Sequence, residues 1–275
     1  SMFDVHEYVA LERAAREWYI KGISRFHPKT GELFGFEKYK RDGINVKKGD
    51  LNYKKPIRRS VIFGNGKSPR ALAQIAHRKM VYYAMRITME TGIRIGTLAN
   101  LRWSNIAKIP KRAKRDEKIY KMIRVQPEQG KKGEYYEIPA PIGEFLTEIK
   151  KVSKFTNPDD LIFTNQMNGT KWSERIWHEG LVDMMIEANL ADRNKESVNK
   201  TMIVKSGKQC SWYNFRHTFI TWRLNAGMSI QEVATYCNTS YQYIMSNYYH
   251  ADLMDSKMID NLELGRISKT FNKET

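Results

Sequence analysis

"TGIRIGTLANLRW", residues 91–103, sets an arginine inside an apolar frame. Gly92 should stop the helix before it. Arg94 then follows among Ile93, Ile95, Leu98 and Leu101. A guanidinium in such a frame is costly unless it meets an anion. Taken alone, the stretch is better read as an arginine paired with a carboxylate or reaching solvent along its stem. A second stretch repeats the situation. "WYNFRHTFITW", residues 212–222, embeds Arg216 among aromatic and β-branched residues. Two arginines 122 positions apart, each in an apolar frame, can converge on one phosphate. The planar guanidinium fork fits phosphate oxygens bidentately.

The composition points the same way. The chain has 275 residues and a formal net charge of +17, with 47 Lys and Arg against 30 Asp and Glu. That excess calls for a polyanionic partner, nucleic acid or an anionic membrane. No apolar run approaches the roughly 20 residues needed to span a bilayer, and the charged start does not read as a signal peptide. At 41% hydrophobic and 12% aromatic residues the chain should fold around a core. Cys210 and Cys237 make no disulfide framework, so a reducing cytoplasm is the expected compartment.

Outward from the two arginines, the pattern is mainly helical. Apolar residues at Val5, Tyr8, Val9, Leu11, Ala15, Trp18 and Tyr19 predict a helix over 4–21, with Asp4 as its N-cap. Residues 24–67, rich in Gly, Lys and Arg, read as a long irregular connection. Ser68-Pro69 opens a helix that runs to Gly92. A second short helix is predicted over 97–103. "EKIYKMIRVQ" and "EYYEIPAP" flank "PEQGKKG" and predict a β-hairpin with a mobile basic tip. "PIGEFLTEIKKV" reads as a helix, and "DLIFT" as a short buried strand or extended piece. A helix over 171–189 offers Trp172, Ile176, Trp177, Val182, Met185 and Ile186 to the core. Helices over "SWYNFRHTFITWRLN", "SIQEVATYC" and "SYQYIMSNYYH" follow, the first ended by Gly227 and the last two separated by Asn238-Thr239. The fold class is therefore mainly α, with a small β-hairpin or three-stranded sheet.

Two motifs fail on inspection. "GNGKS", residues 64–68, resembles the end of a phosphate-binding loop, but Val61 stands where the first glycine is required. The histidines at 6, 27, 77, 178, 217 and 250 include no i,i+4 pair, and no cysteine pair has zinc spacing. Neither a structural nor a catalytic metal is expected. The helix, polar turn and helix over 229–250 would suit a helix-turn-helix DNA reader, although that geometry is common in ordinary bundles.

Four stretches in order, "TGIRIGTLANLRW", "GKKG", "YNFRHTFIT" and "NTSYQYIMSNYYH", resemble the tyrosine recombinases of the phage-integrase family. The steps are 37 from Arg94 to Lys131, 85 to Arg216 and 32 to Tyr248. The resemblance covers about residues 70–250, and it explains the arginines and the basic hairpin, which a bare helix-turn-helix does not. It implies that Arg94 and Arg216 are the two catalytic arginines, that Lys131 is the hairpin lysine with Lys132 as the alternative, and that Tyr248 is the nucleophile. Two departures stand out. Tyr213 occupies the first position of a motif usually written His-x-x-Arg, and Thr239 the position usually held by His or Trp. A subgroup of phage integrases looks similar at both places. Tyr213, Thr239 and His217 are auxiliary candidates.

The resemblance implies a metal- and ATP-independent strand transfer through a 3′-phosphotyrosyl intermediate, with no cofactor. Its partner is double-stranded DNA, with self-association into a tetramer and accessory DNA-bending proteins, in the cytoplasm of a bacterial host. Residues 102–124 hold nine basic residues. Of these, Lys108, Lys111, Arg112, Lys114 and Arg115 are the phosphate-tracking candidates. Residues 3–265 are expected to form the catalytic domain, after a cloning remnant at Ser1-Met2 and before a polar tail at 266–275. The family's N-terminal core-binding domain is not recognised in the sequence. Two other readings share the motifs: a recombinase-fold DNA-binding protein without chemistry, favoured by Tyr213 and Thr239, and a type IB topoisomerase-like enzyme. Replacing either arginine by alanine is expected to leave the fold intact.

Overall fold

A reciprocal cap opens the first helix, α1, Val5–Lys21. The Asp4 carboxylate accepts from the Glu7 N–H at 2.7 Å, and the Glu7 carboxylate accepts from the Asp4 N–H at 3.1 Å. The structure is a computed structural model that describes residues 3–21, 69–191 and 202–248. The connection expected over 24–67, the capping Ser68, and everything from Tyr249 onward lie outside the described residues. The chain divides into two compact units, Ser1–Trp222 and Arg223–Thr275.

In the first unit, α1 buries Leu11, Ala15 and Trp18, a seam with steps of four and three. Val5 and Val9, expected on that face, are exposed. Helix α2, Pro69–Thr91, is apolar on nearly every side: Met80, Val81, Tyr82, Ala84, Met85 and Ile87 are all buried. It is therefore central, with α1, α4 (Gly143–Lys150) and α5 (Glu174–Glu187) packed on it. Gly180 lets α5 approach closely, because a Cβ there would stand 2.9 Å from a Val81 methyl. Ser173 caps α5 by accepting from the Ile176 N–H. The helix starts three residues later than its pattern suggests, since Lys171 is bridged to Thr164 in extended conformation. Trp172, Trp177, Val182 and Met185 are core residues, whereas Ile176 and Ile186 are only half-buried.

Gly92 ends α2 with φ of 60°, a left-handed conformation that glycine adopts without strain. The helix expected at 97–103 is displaced. Helix α3 is shorter and earlier, Ile95–Leu98, and a 3₁₀ turn follows at Trp103–Asn105. Leu101 and Arg102 form no helix, and Arg102 is extended and bridged to Leu161, because this stretch pairs with the "DLIFT" segment. Ile162 N–H donates to Leu101 O at 2.9 Å and Trp103 N–H to Asp160 O at 3.1 Å.

The basic hairpin forms and gains a third strand. Strands β1 (Ile106–Lys108), β2 (Lys121–Val125) and β3 (Tyr136–Ala140) make an antiparallel sheet in that order. Ile123 faces Ile106 on one side and Ile138 on the other. Ile123, Val125, Ile138 and Ala140 are buried, and Arg124 pairs with Glu137 on the exposed face at 3.1 Å. A two-stranded hairpin, β4 (Met202–Ile203) and β5 (Gln209–Cys210), was not anticipated. Its Ser206-Gly207 turn was the available signal, but two residues per strand are too few for alternation to show.

Helix α6, Tyr213–Asn225, stops before Gly227, whose φ is 92°. In the second unit, Ser229 and Glu232 form a capping box for α7, Ile230–Tyr236. Asn238, at φ 45°, turns the chain into α8, Tyr241–Tyr248. Val233, Ala234, Cys237 and Ile244 are buried there. Among the described residues no helix is long and apolar enough to cross a membrane.

Candidate active site

Arg216 lies in the first turn of α6, is 1% exposed, and is the largest fully buried side chain among the described residues. Its guanidinium donates to Gly92 O at 2.6 Å, across 124 positions of sequence. Gly92 is the turn residue that ends α2, and two positions later Arg94 stands half-buried at the entrance to α3. The Arg94 backbone is extended, φ −69° and ψ 139°. Thr91 shapes the same turn: its hydroxyl donates to Ile87 O at 2.6 Å and accepts from the Ile93 N–H at 3.2 Å. The fold thus places the two arginine motifs against each other.

Tyr213 and His217 sit one turn apart on α6, with ring centroids 4.5 Å apart and planes nearly perpendicular. Burial chiefly, with a smaller contribution from the Arg216 charge, pushes the His217 imidazole down to about 4. At neutral pH it is an uncharged ring offering one donor and one acceptor, not a third cation. Beside this group an open cleft of about 280 Å³ is lined by Gly96, Trp172, Trp177, His178, Trp212 and Tyr213. The tryptophans meet edge to face, with Trp177 4.7 Å from Trp172 and 5.4 Å from Trp212. Sequence reading missed this cleft, because a tryptophan at helical spacing signals core and not a wall.

His77, edge-on to Trp172 at 4.6 Å, is also pushed down to about 4, chiefly by burial. Between about pH 6.5, its ordinary value, and pH 4, the unfolded chain binds more protons at His77 and His217 than the folded one. Stability is therefore complete above that window and is lost as pH falls through it. The melting temperature should drop from pH 7 to pH 4.5, and His77→Gln should make that drop shallower. An equally steep drop in the variant would assign the acid sensitivity to other groups.

Lys131 and Lys132 stand exposed at the tip between β2 and β3, where Gly133 has φ of 66°. The basic stretch at 102–124 is split. Lys111, Arg112, Lys114 and Arg115 are exposed on the β1–β2 connection, and Arg115 lies 5.8 Å over the Tyr120 ring. Lys108, at the end of β1, is exposed and pairs with Glu117 at 3.4 Å. The connection is pinned where the Gly143 N–H donates to Ile119 O at 2.8 Å. No side chain fits at Gly143, since a Cβ there would run into Lys118 O.

The first unit thus brings together Arg94, Tyr213, Arg216 and His217. Thr239 and Tyr248 belong to the second unit. The Thr239 N–H donates to Ala234 O at 2.9 Å, closing the end of α7. Tyr248 is the last described residue of α8, half-buried, its ring 6.1 Å from that of Tyr243. Tyr248 follows Ile244 by four and Tyr241 by seven, which sets the three on one stripe of α8; Ile244 is buried but Tyr241 is exposed. Among the described residues no cluster of His, Cys, Asp and Glu is placed to hold a metal ion.

The family model described as "Phage integrase family" matches residues 68–254. No curated protein matches the chain in sequence. Among solved structures, the XerH site-specific recombinase in its post-cleavage complex with a palindromic difH substrate shares 12% identity at a TM-score of 0.52. The alignment covers 96% of this chain and 52% of that one. The XerH pre-cleavage complex gives 13% identity, a TM-score of 0.49 and coverages of 94% and 52%. The Tn1549 transposon integrase with circular intermediate DNA gives 16%, 0.45, 95% and 87%. The chain spans about half the length of the XerH recombinase, and the similarity to its post-cleavage form is one of fold.

Proposed function

Because the chain belongs to the phage integrase family, we propose that it is a site-specific DNA recombinase that cleaves and rejoins strands through a 3′-phosphotyrosyl intermediate. The observation that carries this reading is the bond from Arg216 to Gly92 O. It sets two guanidinium-bearing segments from distant parts of the chain side by side, as a clamp on one phosphate requires.

In this mechanism Arg94 and Arg216 hold the non-bridging oxygens and stabilise the charge that builds on them in the transition state. The Tyr248 phenol gives its proton to solvent and its oxygen bonds to phosphorus. The bond from phosphorus to the 5′ oxygen breaks, and that oxygen takes a proton from Lys131. Attack by the free 5′-OH of another strand reverses the step with new connectivity. Tyr213, Thr239 and neutral His217 are auxiliary hydrogen-bonding groups. One phosphodiester replaces another, so neither ATP nor metal is required, and no cofactor is assigned. The protein acts as a tetramer on DNA in the bacterial cytoplasm, serving a phage or other mobile element.

The test is a nicked suicide duplex, incubated with the protein and with excess chelator. A covalent protein–DNA adduct that survives chelator is the expected result. Cleavage that disappears with EDTA and returns with magnesium would point to a hydrolytic nuclease. A well-folded protein that forms no adduct would favour the non-catalytic DNA binder.

The exposed cations of the β1–β2 connection are proposed phosphate contacts. Log affinity for duplex DNA should then fall with log salt by about 0.9 per contact. Replacing Lys111, Arg112, Lys114 and Arg115 together by alanine should flatten that slope. An unchanged slope would move the DNA face elsewhere.

A further inference from the structure

Two residues before Lys131, the side chain of Gln129 is buried, 8% exposed, at the root of an exposed hairpin tip. Its oxygen accepts from the Gln126 N–H at 3.0 Å, closing the 3₁₀ turn Pro127–Gln129. Its amide group donates at 2.8 Å to Asn100 O and at 2.8 Å to Asn105 Oδ1. Asn105 in turn accepts from the Arg102 N–H at 2.7 Å and donates to Arg124 O at 2.9 Å. Asn100 donates to Gly96 O at 3.0 Å and receives Lys171. The segment from Gly96 to Asn100 covers most of α3 and the turn after it, and Arg94 is the residue that opens α3. A single carboxamide therefore ties the base of the lysine tip to the short segment that presents the first arginine.

From this geometry we infer, resting on the recombinase reading above, that Gln129 is a positioning residue: it holds the Lys131 tip in register with the Arg94 side of the phosphate clamp. The physical case is specific to glutamine. The site needs one acceptor and two donors at the end of a two-carbon stem, and a buried carboxamide with each of these used is locked in one orientation. Glutamate would keep the size but lose both donors and face two acceptor oxygens with a charge. The reaction needs the lysine ammonium at the leaving 5′ oxygen while the arginines hold the non-bridging oxygens of the same phosphate. A displacement of about 1 Å in such a pair can cost about 10²-fold in rate.

The experiment measures single-turnover adduct formation on two suicide duplexes, one ordinary and one with sulfur in place of the bridging 5′ oxygen. A thiolate is a far better leaving group than an alkoxide and needs no proton from the enzyme. Wild type should form the adduct on both. Lys131→Ala, with Lys132→Ala alongside to decide between the two lysines, should be slow on oxygen and restored on sulfur. Gln129→Ala and Gln129→Glu should be slowed about 10²-fold on oxygen and likewise restored on sulfur, whereas Arg94→Ala should stay slow on both. Melting curves identify a variant that fails to fold, and Gln129→Glu, which keeps the volume, then carries the test. Wild-type rates on oxygen in the Gln129 variants would overturn the positioning role. So would equal slowing on both substrates, or loss of fold in both variants, either of which makes Gln129 a plain structural residue. No wild-type adduct on either duplex would instead remove the recombinase reading itself.

Discussion

Tyr248→Phe should abolish the covalent adduct and leave duplex binding unchanged. The substitution removes one oxygen and keeps the ring that packs near Tyr243, so α8 has no reason to rearrange. What is lost is the only atom that can bond to phosphorus from this position, and the loss of rate should be complete, not partial. Tyr249→Phe is the matched control. The sequence predicts one helix through both tyrosines, and consecutive helical residues point about 100° apart, so the two phenols are not expected to serve one phosphate and the control should retain the adduct. Mass spectrometry of the trapped complex should place the nucleotide on Tyr248. An adduct mapped to Tyr249, or one that persists in Tyr248→Phe, would put the register off by one.

The second large effect concerns the arginines, and here the structure separates two residues that look alike in sequence. Arg94 is half-buried at the mouth of α3. Arg94→Ala should fold normally and cleave about 10²–10³-fold more slowly, the usual loss when one preorganised donor to a developing oxyanion is removed. Arg216 is different. At 1% exposure, with its guanidinium on Gly92 O, its removal leaves a cavity and strands a buried carbonyl, worth about 1–3 kcal/mol for the carbonyl alone. Arg216→Ala therefore carries a stability cost that Arg94→Ala does not. Arg216→Ala should show a lowered melting temperature as well as lost cleavage. Arg216→Lys keeps a cation and loses the fork, so it is the cleaner probe. It should fold and still cleave slowly, because a compact ammonium lacks the planar fork that reaches Gly92 O and phosphate oxygens in fixed directions at once. Full cleavage by a folded Arg216→Lys would make Arg216 a structural residue.

The sequence by itself determined the helical class, the hairpin and the order of the motifs. Those signals are local. Gly92 and Gly227 end helices because a left-handed turn suits glycine. Ser229 with Glu232 caps α7 within four residues. "KMIRV" and "YEIPA" pair across a turn of ten residues. The candidate arginines, the tip lysines and Tyr248 come from the resemblance of four stretches in their order, which a chain retains whether folded or not.

Only tertiary structure decided the rest, because the deciding contacts join residues far apart in sequence. The helix expected through residue 103 breaks at Leu101 and Arg102, since the 160–162 segment supplies Leu101 and Trp103 with hydrogen-bond partners. Val5 and Val9 are exposed although their spacing matches that of a buried face. His217 and His77 are held neutral by burial, and burial cannot be read from a histidine's neighbours in the chain. Gln129 carries no signature at all: it is a polar residue in a turn until Asn100 and Asn105 come within 2.8 Å of its amide. Spacing along the chain records which groups are present. Which of them share a phosphate, and what holds them in register, follows from packing between elements that the sequence does not place side by side.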